Sequence, residues 1–247
     1  MAAVSSYQPF AADGHDVAWR TWEGEHHEEA TIRWENEGFT VVGQVSRERV
    51  QYVVRLGPRW NVRQFLLFRD LDEPDLWLAN DGTGHWGEMN GAHRDEFDGC
   101  ADIDLRCTPL TLSITIRRLG LDIGDSASVA AVRVDTESLD AQPVRQHFER
   151  LGEHRWRIAR GDEPAVELDV DEFGLVLDYP AEFRRESSSA RACVPTSGLF
   201  ATSHRSRPRA ALVAKQGAAS RAAWSLSWAL SCMRRAESAT PPISCPT

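Results

Sequence analysis

Apolar residues in this chain come in short runs, and most runs alternate with polar neighbours. Phe39–Val45 (FTVVGQV) and Val50–Leu56 (VQYVVRL) set the pattern. A period of two sends successive side chains to opposite faces of a strand. Trp60–Phe68, Leu76–Asp81, Ala127–Val134, Arg155–Arg160 and Ala165–Val170 follow the same rule, rich in β-branched and aromatic residues. Sustained helical periodicity is missing, and only Pro143–Leu151 is ambiguous, because proline can open a helix at its first position. The expected fold is mainly β, an antiparallel β-barrel or β-roll with at most one or two helices. A faint repeat suggests two related β units: Gln51, Arg55-Leu56-Gly57 and Trp60 recur as Gln146, Arg150-Leu151-Gly152 and Trp156.

The stretch Gly99–Leu119 (GCADIDLRCTPLTLSITIRRL) concentrates opposite charges. Asp102 and Asp104, two apart, share one strand face, while Ile103 and Leu105 share the other. After the Thr108-Pro109 break, Leu112–Leu119 again alternates, so the segment reads as a β-hairpin with acids on one arm and Arg117 and Arg118 on the other. Folding back about the break sets Asp102 opposite Arg117 and Asp104 opposite Thr115. The carboxylates can serve as structural partners for the two arginines, since an unpaired buried guanidinium costs several kcal/mol. They can also belong to a polar ligand-orienting site, with arginine gripping phosphate or carboxylate bidentately.

Charge divides the chain. The 28 Lys+Arg against 37 Asp+Glu give a net of −9, but residues 187–247 hold eight basic residues and one acid, leaving −16 on residues 1–186. A body so acidic repels nucleic acid and anionic membrane surfaces, so neither is an expected partner. Residues 1–186 are read as one β domain. Residues 187–247, rich in Ser, Ala, Arg and Pro, are read as a basic low-complexity tail, disordered in isolation. Lys215 and Arg221 interrupt its most apolar run, so stable membrane insertion is not expected. The opening MAAVSSYQPF lacks a basic and an apolar export region, which makes the cytoplasm the expected compartment. Oligomeric state is not legible.

Motif chemistry is sparse. No nucleophile elbow, Walker loop, dinucleotide fingerprint or zinc spacing occurs, so no cofactor and no metal are expected, and enzymatic activity is left open but disfavoured. Cys100 and Cys107 suggest no disulfide framework. His26-His27-Glu28-Glu29 reads as an exposed acidic turn, and His85, His93 and His147 as isolated histidines.

The charged segment resembles a signature of the bacterial putative glycolipid-binding family, formerly a domain of unknown function. That pattern runs Asp-x-Asp-Leu, Thr-Pro-x-Thr-Asn, Pro-Ile-Arg-Arg-Leu. Asp102, Asp104, Leu105, Thr108, Pro109, Thr111, Ile116, Arg117, Arg118 and Leu119 match it, while Leu112 and Thr115 stand where the pattern has asparagine and proline. Trp19-Arg20 with Gly24-Glu25 resembles the family's opening and Val170–Arg185 its close, so the resemblance spans about residues 15–185. It implies non-catalytic binding of a glycolipid or similar amphiphile in an apolar cavity, in the general manner of lipoprotein-carrier half-barrels. Arg117, Arg118, Asp102 and Asp104 would orient the head group, and Trp60 and Trp86 would form the wall. Two other readings stand beside it. One is a hydrolase or isomerase acting on a small polar molecule with Asp102 or Asp104 as general base; the other is a partner-binding protein with an acidic docking face.

Overall fold

The computed structural model describes residues 7–69 and 73–186; the 187–247 tail reading lies outside the described residues. The chain opens as an antiparallel meander of seven strands: β1 (His15–Thr21), β2 (His27–Glu35), β3 (Gly38–Val45), β4 (Val50–Leu56), β5 (Val62–Phe68), β6 (Leu76–Asn80) and β7 (Trp86–Glu88). A second set follows: β8 (Asp102–Leu105), helix α1 (Leu110–Leu119), β9 (Ser126–Val134), β10 (Ala141–Arg150), β11 (Arg155–Arg160) and β12 (Val166–Asp169). The short β13 (Asp178–Tyr179) and β14 (Phe183–Arg185) return to the first sheet, where β14 pairs with β1. The sheets run β13-β14-β1-β2-β3-β4-β5-β6-β7 and β12-β11-β10-β9-β8. The mainly antiparallel β architecture with one helix is as the alternation predicts. The two copies of the sequence repeat fall on the β4–β5 hairpin of one sheet and the β10–β11 hairpin of the other.

The charged hairpin is not a hairpin. Its first arm is β8, but Leu110–Leu119 is helical, and β8 pairs in parallel with β9 on the far side of that helix. Parallel neighbours need a crossover, and α1 supplies it. The helix signals are local. Thr108 Oγ accepts from the Leu110 N–H at 2.9 Å, beside Pro109 at the helix start. At the other end Gly120 takes the left-handed conformation (φ 53°) and its N–H closes on the Ile116 carbonyl. The alternating Leu-Ser-Ile-Thr-Ile pattern mimics a strand because Leu110 through Arg117 are buried on all sides of the helix. No polar stripe remains to reveal a 3.6 period. The buried hydroxyls turn inward on the backbone: Thr115 donates to the Thr111 carbonyl, and Ser113 Oγ accepts from the Val176 N–H at 2.9 Å.

The ambiguous Pro143–Leu151 segment is resolved as strand through Arg150, within β10. Within the supposed exposed turn, Glu28 is 1% exposed, because β2 alternates and Glu28 shares the inward face of Ala30 and Ile32. The Tyr52 hydroxyl donates to Glu28 Oε1 at 2.5 Å. Gly43, directly across from Tyr52, leaves room for that ring; a Cβ there would overlap it.

One core joins both sheets and α1, with Trp19, Tyr52, Phe65, Phe97, Phe148 and Trp156 fully buried. Because the meander reverses at every turn, its sheet has two distinct ends. The β1–β2 and β3–β4 turns lie at one; the start of β1 and the β2–β3, β4–β5 and β6–β7 turns lie at the other.

Candidate functional site

The two β8 carboxylates are fully buried and fully engaged. Asp102 receives a bidentate fork from Arg118 in the last turn of α1, Nε to Oδ1 at 2.7 Å and Nη2 to Oδ2 at 2.6 Å. Burial raises the Asp102 carboxyl above the usual aspartate range, and the Arg118 guanidinium pulls the other way. Asp104 is held from two strands: Arg133 Nε, its register neighbour on β9, lies at 2.7 Å from Oδ2, and Arg160 of β11 donates to Oδ1. β11 is three strands from β8, roughly 14 Å in a flat sheet, so the five-stranded sheet must curl for Arg160 to reach Asp104. Burial opposes the Arg160 charge, but Asp104 outweighs it and the guanidinium is held above its usual range. The chain of charges continues outward, since Arg133 and Arg106 both meet Glu163.

Arg117 is arranged otherwise. Its side chain is buried, yet among the described residues no carboxylate lies within ion-pair distance. Its guanidinium donates to the backbone carbonyls of Phe173 and Gln8, and its Nε is buried without a hydrogen-bond partner. Burial lowers its pKa to about 10. Aromatic faces surround it: Trp60 at 4.4 Å from guanidinium carbon to ring centroid, Phe10 at 4.6 Å and Tyr7 at 6.0 Å. Trp60 holds this place in the left-handed backbone region (φ 66°), a costly conformation for a bulky residue. From Trp60 the rings continue outward. Phe39 packs on it at 4.5 Å, Trp34 meets Phe39 edge-on at 4.9 Å, and Phe173 stacks on Phe10 at 5.5 Å. Trp34 is 52% exposed. This is the end of the sheet where the β2–β3 and β4–β5 turns lie.

The opposite end carries a wide polar cleft of about 1050 Å³, lined by the β1–β2 and β3–β4 turns and by Arg106, Cys107, Arg133 and Val134. Helix α1 therefore runs from a polar end, where Cys107 precedes it, to an aromatic end, where Arg117 leaves it.

Of the residues singled out by sequence, the structure brings Asp102 to Arg118 and Arg117 to Trp60, and it keeps these pairs apart in character. The expected pairing of Asp102 with Arg117 and of Asp104 with Thr115 does not form, because residues 110–119 are helical. Trp86 is buried, its indole N–H on the Cys100 carbonyl at 2.9 Å, and it joins neither pair. Sequence reasoning missed Arg133, Arg160, Phe10, Phe39 and Phe173, which are scattered along the chain with no shared motif. It also missed Glu28, read as part of an exposed turn, although the β2 alternation carries the signal. Burial lifts the Glu28 carboxyl to about 7 against the opposing Tyr52 hydrogen bond, and its Oε2 has no hydrogen-bond partner. Cys100 and Cys107 are buried free thiols. Among the described residues no helix is long and apolar enough to cross a membrane.

A family model described as "Putative glycolipid-binding" matches residues 16–185. Among solved structures the chain is similar to the crystal structure of a DUF1089 family protein from Pseudomonas aeruginosa. The two share 30% identity at a TM-score of 0.56, over 64% of this chain and 92% of that one. No curated protein matches the chain.

Proposed function

From the premise that this chain belongs to the putative glycolipid-binding family, we propose that it binds a glycolipid-like amphiphile without transforming it, at the aromatic end of the nine-stranded sheet. The observation that carries this reading is Arg117. A buried guanidinium with no carboxylate partner is expensive, and here it sits behind a surface of aromatic rings ending in exposed Trp34. Rings of this kind suit both the faces of sugars and alkyl chains. An anionic or strongly polar head group reaching the guanidinium would supply the missing partner. Eight buried methylenes would contribute roughly 6 kcal/mol, and micromolar binding needs about 8 kcal/mol, so modest polar contacts complete the affinity. Asp102, Asp104, Arg118 and Trp86 then act as framework, holding the ends of α1 and β8 so that Arg117 and Trp60 keep their places. α1 fills the core between the sheets, so the ligand chain lies along the aromatic end and not through the centre of the fold.

A second reading takes the polar cleft as the sugar subsite, favoured by its volume, which matches that of ordinary ligand pockets. Nothing in the geometry favours the hydrolase or isomerase alternative. Both β8 carboxylates are sealed in ion pairs, so neither is free to act as the general base that reading assigns to it.

The test is tryptophan fluorescence of the full chain titrated with dodecyl glucoside and dodecyl phosphate below their micelle concentrations, with native mass spectrometry of protein purified from cells. The proposal expects saturable binding that weakens about tenfold or more in Trp34→Ala and Arg117→Met. Weakening in Arg47→Ala or Arg106→Ala instead would move the site to the polar cleft. A folded protein that carries no lipid and answers neither probe would end the amphiphile reading.

A further inference from the structure

His85, His93 and Asp98, none of them part of the β8 ion pairs, converge at the β7 edge of the nine-stranded sheet. His85 Nδ1 lies 3.1 Å from Asp98 Oδ2, and His93 Nε2 lies 2.9 Å from Asp98 Oδ1. The three ligand-type atoms lie within 4.8 Å of one another, and all three side chains are open to solvent.

The backbone carrying them is fixed from three directions. Asp81 folds the β6–β7 turn by accepting from the Thr83 N–H at 2.7 Å, and Gly82 and Gly84 take positive φ within that turn. His93 bridges to Gly87 of β7. Asp98 follows a single 3-10 turn, Asp95–Phe97, that is nailed down by fully buried Phe97, and the Gly99 N–H returns to the Gly84 carbonyl at 3.0 Å. Preorganised backbone of this kind is what a metal site needs, since the ligands must not be gathered at the ion's expense.

We propose that His85, His93 and Asp98 form a binding site for a divalent transition ion of the zinc type, with two imidazole nitrogens and one carboxylate oxygen as protein ligands and the remaining positions open to water or an exogenous ligand. Zinc bonds of about 2.0–2.2 Å are compatible with donor atoms at these separations after small side-chain rotations. Two imidazoles select against magnesium and calcium, which want oxygen. A bound ion would tie the β6–β7 turn to the segment that follows β7. Three protein ligands with vacant positions resemble an exchangeable or ligand-accepting centre more than a closed structural one.

The experiment is calorimetric titration of the full chain with zinc chloride at neutral pH in a non-chelating buffer, with cobalt(II) absorption as a geometric readout. One equivalent is expected at micromolar affinity, with visible cobalt bands of an imidazole-containing site. His93→Ala, His85→Gln and Asp98→Asn should each weaken binding about tenfold or more while circular dichroism stays that of the parent. The double variant of His26 and His27 to alanine should bind as the parent does. Unchanged zinc affinity in His85→Gln combined with His93→Ala, or no binding at millimolar zinc in the parent, would overturn the assignment. Loss of lipid-probe binding in the proposed aromatic site leaves this result untouched, because the two sites share no residue.

Discussion

Arg117 and Arg118 are consecutive in the last turn of the same helix, yet the fold treats them in opposite ways. Arg118 meets Asp102 through two hydrogen bonds and keeps 18% of its side chain in contact with solvent. Arg117 is more deeply buried and meets only carbonyls and rings. Successive helix residues are about 100° apart, so one points to β8 and the other to the aromatic end. The difference separates a charge that completes the structure from one that the structure leaves uncompensated. A paired arginine is explained by its partner. An unpaired one asks for a partner from outside.

The comparison can be broken most severely at Asp104. Asp104→Ala would leave Arg160, itself 2% exposed, and Arg133 without their shared carboxylate. The expected loss is about 3–5 kcal/mol, read from urea denaturation. Retention of near-parental stability would show that the buried charge chain is not structural. Glu28 is the acidic counterpart of Arg117, a buried ionisable group without an ion-pair partner among the described residues, and it makes a pH prediction. Its carboxyl holds a proton to about 7 in the folded chain against 4.5 ordinarily. The protonated form is therefore the one folding favours. The stabilisation is complete below about pH 4.5 and is lost as pH rises through about 7, amounting to about 3 kcal/mol. Glu28→Gln keeps an acceptor for the Tyr52 hydroxyl and should flatten that slope; an unchanged pH profile of the melting temperature would refute it.

Asp102→Asn should cost less than Asp104→Ala, about 2 kcal/mol, because the freed Arg118 can turn to water. The smallest stability effect is expected at Arg117→Met. Removing an uncompensated buried charge offsets the lost carbonyl hydrogen bonds, so stability should stay within about 1 kcal/mol of the parent. If Arg117→Met instead unfolds the chain while Asp102→Asn does not, the roles assigned to the two arginines are reversed.

Much of the sheet was readable from short β-branched and aromatic runs, and by alternation where a strand keeps one polar face. β2 and the second half of β10 follow the alternation, whereas Tyr52–Val54 of β4 and Phe65–Phe68 of β5 are buried on both faces and were readable from their β-branched and aromatic composition. α1 was not readable by the same rule, since a helix buried on every side erases the contrast on which periodicity depends. Thr108-Pro109 and Gly120 marked its ends nonetheless. The candidate site was legible in its charges and not in their pairing: Asp102 and Arg118 were visible, but Arg133 reaches Asp104 through the parallel β8–β9 register and Arg160 through sheet curl. Glu28 illustrates how a local charge run misleads. Its neighbours His27 and Glu29 face outward and only the strand phase shows that it does not. The His85–His93–Asp98 cluster is set by a turn and a bridge, neither of which leaves a spacing motif.

The pairing of β14 with β1 joins Trp19 to Arg185 across nearly the whole described chain. During synthesis, β1 gains β2 early but keeps its other edge open until the last described strand has been made. At 5–20 residues per second, the edge waits roughly 10 to 30 s, with Val17 and Trp19 among the side chains that the finished fold buries completely or nearly so. An open strand edge is a template for pairing with another chain. The nascent protein is therefore most vulnerable to self-association just before residues 183–185 emerge, and a truncation that removes those residues would prolong that state indefinitely.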